Sequence, residues 1–159
     1  MKKMISMLII LALCSMVGVA QKLTPSKVPQ NVRKAFSKEN PKASGITWSM
    51  EEANYEVNFL LNNVKNSVVY DKDAKWLEKE AVIKVSDIPK EVKAALKKEF
   101  AGFKTTEAEK VEKADNSVQY HLGISKKDEA YEVQFSATGD VLKKEPKETK
   151  KPAEVKGKK

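Results

Sequence analysis

A chain with one histidine, His121, and one cysteine, Cys14, has few ways to run acid–base or nucleophilic chemistry. His121 stands between Tyr120 and Leu122 in "YHLGI". In a strand this alternation sends the imidazole to the face opposite the apolar residues, with Glu132 and Gln134 on the same side. A Ser–His–Asp device would have to be built on His121, and nothing near it in the sequence marks an activated nucleophile. The histidine reads instead as part of a recognition surface, as a pH-sensitive contact, or as a solvated strand residue. Asp71 and Asp73, separated by Lys72, offer oxygens for Ca²⁺, but such a site needs about 6–8 of them, and a hairpin turn explains the pair more simply. Trp48 and Trp76 are the aromatic anchors for a partner if they face away from the helices, with Glu51, Glu52, Glu78 and Glu80 flanking them. The sequence has no G-x-S-x-G, no H-E-x-x-H and no phosphate-cradling glycine loop, so no catalytic residue and no cofactor is expected.

Charge and targeting narrow the field further. The opening "MKKMISMLIILALCSMVGVA" has a basic start, an apolar run and a small-residue end, the pattern of a cleaved signal peptide over residues 1–20. Its apolar run is shorter than the roughly 20 residues of a membrane span. Cys14 leaves with it, so the mature chain has no thiol for disulfide, nucleophile or metal. The formal charge of the whole chain is +8. Residues 21–142 hold 20 basic and 19 acidic side chains, so the basicity belongs to the ends. Arg33 is the single arginine, which with export argues against nucleic-acid binding. Residues 146–159 read as a disordered lysine-rich tail able to touch anionic surfaces, because too few apolar residues offset the entropy of ordering.

These residues have to be positioned by repeated elements. "SKVPQNVRKAF" (Ser26–Phe36) returns as "SDIPKEVKAAL" (Ser86–Leu96). Each predicts an amphipathic helix, capped by Ser26 or Ser86, with Pro29 or Pro89 in its first turn. Val28, Val32, Ala35 and Phe36 fall on one face, as do Ile88, Val92, Ala95, Leu96 and Phe100. After each helix the period drops to two, and four strands separated by turn signals follow. From Tyr55 and Tyr120 onward the two stretches correspond at a constant offset of 65. The pattern predicts an α+β fold: two tandem helix-plus-four-strand repeats, about 26–80 and about 86–145, in a domain over 21–145. They form one extended, eight-stranded antiparallel sheet with both helices on one face.

The ordered series Val28-Pro29, Val32, Ala35-Phe36, then "W...E..YEV.F" from Trp48 and "VVYD...KWLEKE" from Val68, resembles the PepSY-like family of exported bacterial proteins. That fold is similar to the beta-lactamase-inhibitor proteins. The resemblance covers about Lys27 to Glu145 and implies a curved sheet of helix-plus-four-strand units. Inhibitors of that fold bind an enzyme through the concave face.

The sequence therefore points to a non-catalytic module of the periplasm or exterior, recognising a protein partner in the envelope through its open sheet face. Peptidase or envelope-enzyme inhibition is one form of that role. Trp48, Trp76, His121, Glu132 and Gln134 are the expected contacts. The alternative is a small-ligand or calcium-binding periplasmic protein, with Asp71 and Asp73 as metal candidates. A hydrolase using His121 is the third reading.

Overall fold

In the computed structural model, residues 21–147 are described. The expected signal segment and residues 148–159 of the expected tail lie outside them. The elements run β1 (Gln21–Leu23), α1 (Gln30–Glu39), β2 (Ser44–Glu51), β3 (Asn54–Leu61), β4 (Val64–Tyr70), β5 (Trp76–Val82), α2 (Lys90–Glu99), β6 (Lys104–Lys113), β7 (Val118–Lys126), β8 (Glu129–Ser136) and β9 (Val141–Pro146). All strands join one antiparallel sheet in sequence order. The fold is α+β, with nine strands among the described residues rather than eight. The addition is β1, three residues too short to show alternation, which pairs Leu23 with Trp48 on β2.

The helices also begin differently from expectation. Ser26 and Ser86 do not cap them. Each serine lies in a 3-10 turn, and Pro29 and Pro89 occupy the N-cap positions without any side-chain cap. Proline at this position fixes φ but offers no side-chain acceptor, so the first N–H groups of each helix have no side-chain cap. Arg33 Nε and Lys93 Nζ instead reach back to the carbonyls of Val28 and Ser86.

One stripe of each helix is buried. Val32 and Phe36 of α1 pack with Trp48, Val57, Phe59, Val68 and Tyr70. Phe36 meets Trp48 and Phe59 edge-on, with centroids 5.5 and 5.0 Å away. Val92 of α2 packs with Leu122, Ile124, Val133 and Phe135 over a second core, closed by Phe100. The register shows that both helices lie on the same face. Val68 of the first core is paired with Lys79, and Lys79 with Glu112. Ala108, four residues back along β6 and hence on the same side, belongs to the second core. Between the cores this side of β5 and β6 carries Lys79, Ala81, Lys110 and Glu112, so two apolar clusters form instead of one.

Turns after β4 and β8 share one geometry. Asp71 N–H donates to Lys75 and Ala74 N–H to Asp71. Ser136 N–H donates to Asp140 and Gly139 N–H to Ser136. Ala74 and Gly139 both take positive φ, +66° and +92°. At the far end Lys147 N–H bonds the carbonyl of Ala130, so pairing continues just past Pro146.

Candidate functional site

Among the described residues no helix covers the other face of the sheet. Register places Ser49 and Glu56, Ser67 and Glu80, Glu78 and Lys113, and Glu109 and His121 there as directly opposed pairs. Gln134 lies opposite His121 on β8, and Glu132 opposite Gly123. Alternation drives this: the partners of the core residues face inward, and the residues between them face out.

The open face is nonetheless partly buried. Val111, opposite Glu80, is 0 % exposed yet belongs to neither helix-covered core. Ser49 and Ser67 are buried as well. With no element above them among the described residues, the long side chains beside them close over the sheet centre. Ser67 Oγ donates to Glu80 Oε2 at 3.0 Å, and Ser49 Oγ donates to Glu56 Oε2 at 2.8 Å. Lys113 pairs with Glu78.

This crowding shifts the titrating groups. Burial pushes Glu80 up to about 7; a hydrogen bond with Glu78 and the charges of Glu109 and Glu78 add to the rise, while the Ser67 hydroxyl opposes it. Burial, then the charges of Glu107 and Glu132, hold Glu109 above the usual carboxylate range. Burial pulls His121 below the ordinary histidine value, against the pull of Glu78 and Glu132. His121 Nδ1 lies 3.7 Å from Glu80 Oε1, a contact that becomes an ion pair only if the imidazole is protonated, and both shifts oppose that. The other imidazole nitrogen lies 3.5 Å from Gln119 Oε1. Among the described residues no hydroxyl bonds to His121, so no nucleophile–base pair is assembled there.

Raised carboxylate values have a sign. Glu80 takes up its proton more readily when folded, so its contribution to stability is full below about 4.5 and is lost as pH rises through about 7. Glu80→Gln removes the cost of the folded anion. Discounted for its partial exposure, the variant should be more stable than wild type by about 1–2 kcal/mol at pH 8 and equal to it near pH 4.5. Urea midpoints at the two pH values check this; a difference independent of pH would contradict it.

The sequence candidates separate. His121, Glu132 and Gln134 come together on the open face. Trp48 does not join them: it is 5 % exposed beneath Phe36 in the first core. Trp76 packs half-buried against the same core, with Lys79 Nζ 4.7 Å from its ring. Asp71 Oδ1 accepts the N–H groups of Asp73 and Lys75, both at 2.9 Å, and Asp73 pairs with Lys72. These carboxylates brace the β4–β5 turn, away from the open face. Among the described residues no three His, Cys, Asp or Glu side chains are grouped to hold a metal. Ser67, Glu109 and Val111 were missed. The alternation of Glu78 with Glu80 and of Glu107 with Glu109 was the available signal, but only the β5–β6 pairing makes it one patch.

A family model described as "Putative beta-lactamase-inhibitor-like, PepSY-like" matches residues 53–143. A solved structure of a protein described as a putative periplasmic protein, from Bacteroides eggerthii, has 25% identity and a TM-score of 0.69, over 75% of this chain and 88% of that one. A DUF2874 family protein from Bacteroides uniformis follows at 23% identity and TM-score 0.67, over 74% and 88%. A BLIP-like protein from Bacteroides fragilis has 20% identity and TM-score 0.62, over 78% and 87%. No curated protein matches. Among the described residues no helix is long and apolar enough to cross a membrane.

Proposed function

The chain belongs to the PepSY-like, beta-lactamase-inhibitor-like family, and from that premise we propose that it is a non-catalytic, exported module that binds a protein through the open face of its sheet. One observation carries the proposal. The face opposite both helices holds Val111, Ser67 and Ser49 out of water, under a frame of lysines and glutamates in which Glu80 and Glu109 are held above the usual carboxylate range. A merely solvated sheet face gains nothing from burying these groups, whereas a docking surface pairs an apolar floor with a polar rim. His121, Glu132 and Gln134 lie within this surface, and Trp48 and Trp76 serve the core beneath α1. Export is supported by the amino-terminal pattern and by the likeness to the Bacteroides eggerthii protein. Inhibition of an envelope enzyme is the form of binding that the family description favours.

We read the two halves as copies of one unit. The 3-10 turn, proline and ten-residue helix recur sixty residues apart, and the positive-φ turns at Ala74 and Gly139 recur sixty-five apart. Duplication lays two short strand sets side by side and gives a face twice as broad as one unit offers.

A photoreactive side chain at Gln134 or Asn58 on the open face should form adducts with an envelope protein. The same probe at Lys34 or Lys97, exposed on the helices, should not. Equal labelling from both sides, or none from the open face, would count against the docking role.

A further inference from the structure

Charge on the open face is unevenly matched. Lys113 pairs with Glu78, Lys143 with Glu145, and Lys147 with Glu107. Among the described residues no lysine lies within ion-pair distance of Glu80, Glu109 or Glu132; the imidazole of His121 stands 3.7 Å from Glu80, and the charges of Lys147 and of Lys65 on β4 reach Glu109 from beyond contact. Three carboxylates across β5, β6 and β8 thus lack an ion pair among the described residues, with Lys65 an unpaired lysine whose charge reaches Glu109. Burial first, then the charges of Glu107 and Glu132, raise Glu109, against the opposing charges of Lys147 and Lys65.

One position in this patch already accepts an ammonium. Lys147, just past the edge strand β9, extends over β8 and β7 to Glu107 on β6. It lies in a slot lined by Glu107, Glu109, His121, Gly123 and Glu132. The slot exists because residue 123 has no side chain. A Cβ there would stand 3.0 Å from Thr106 Oγ1 and 3.3 Å from Glu107 Oε2, within the space the pair uses. Lys147 is held by one contact at the sheet margin and its side chain is 42% exposed, so another ammonium can replace it at little cost.

From this we infer that the open face receives a lysine-bearing segment of its protein partner, one partner lysine taking the slot over Gly123 that Lys147 fills in the free protein. The inference rests on the docking role proposed above and specifies the partner's chemistry. The unpaired Glu109 and Glu132 supply the complementary charge, which steers encounter and selects among partners. Single carboxylates spaced along strands suit the point charge of lysine better than the planar fork of arginine.

The test uses the full mature chain and a fluorescent 12-residue peptide alternating Lys and Ala, with a Glu–Ala peptide as control, read by anisotropy at low salt. Wild type should bind the lysine peptide at least tenfold more tightly than the control. Glu109→Gln/Glu132→Gln should lose tenfold or more, with unchanged circular dichroism. Lys147→Ala should gain several-fold by vacating the slot. Equal affinity for the two peptides, or no loss in the double variant, overturns the inference. If open-face cross-linking still captures a protein in that event, the docking role stands and only the lysine assignment falls.

Discussion

Phe36→Ala should cost about 3–5 kcal/mol of stability, the range for removing a fully packed phenylalanine. Phe36 is 2 % exposed and is the residue of α1 that touches both Trp48 and Phe59 edge-on. Alanine leaves a cavity that neither ring can fill, since each is fixed by its own strand. The two tryptophans, Trp48 and Trp76, both pack in the first core. Fluorescence therefore reports that core, and far-ultraviolet circular dichroism reports the whole sheet. The cores are joined by the β5–β6 ladder and by polar side chains, not by shared apolar contacts. In the variant, urea should move the fluorescence midpoint ahead of the dichroism midpoint. Coincident transitions would show that the halves unfold as one unit. A loss below about 1 kcal/mol would show that α1 is not held by this ring.

Much of this architecture was legible because helix and strand periods are explicit in the residues. Val28, Val32 and Phe36 repeat as Ile88, Val92 and Leu96, and each set ends in buried or half-buried positions. The side of His121 follows from its neighbours Tyr120 and Leu122, which face the second core. Three things were less visible. The serines before each proline resemble caps, but they lie in 3-10 turns three residues ahead of the N-cap and do not cap the helices. Trp48 could not be assigned a face from "ITWSM", because a bulge between Ser44 and Thr47, with Gly45 at φ +62°, breaks the count along β2. The acidic patch needed register. Glu80, Glu109 and Glu132 are far apart in sequence and meet only when β5 to β8 align, and a shift of one residue would send them to the helix side.

The same dependence on register explains why the open face is costly to maintain. Three of its strands bring glutamates toward one histidine on a fourth, and the sheet cannot relax one pair without moving a core residue on the reverse side. Val111 illustrates the coupling: its neighbour Lys110 lies in the strip between the cores, while Ala108 packs under α2. A partner that neutralises the unpaired carboxylates would therefore act on a surface held rigid from behind, which limits the entropy lost on binding.

Gly139→Ala should be among the most damaging single-atom additions to the chain. At φ +92° an L side chain is strained by about 1–2 kcal/mol before any contact is considered. Its Cβ would stand 2.7 Å from the carbonyl oxygen of Glu91 and 3.0 Å from that carbonyl carbon. Those are backbone atoms in the first turn of α2, so no rotamer change relieves the clash. The helix start has to back away from the β8–β9 turn, and Val92, the next residue, is 0 % exposed in the second core. Strain and overpacking together predict a loss of about 2–4 kcal/mol. Ala74 provides the internal contrast. It occupies the like turn before β5 at φ +66°, and its methyl packs against the first core without such a clash. There α1 is tied to the turn by Asn31 Nδ2, which donates to the carbonyl of Lys72 at 3.0 Å. Ala74→Gly relieves the left-handed strain while losing a methyl contact and loosening the unfolded chain, so its net change should stay within about 1 kcal/mol. Urea denaturation of the two variants decides the matter. If Gly139→Ala matches Ala74→Gly, α2 does not press on its turn as closely as the Glu91 contact requires.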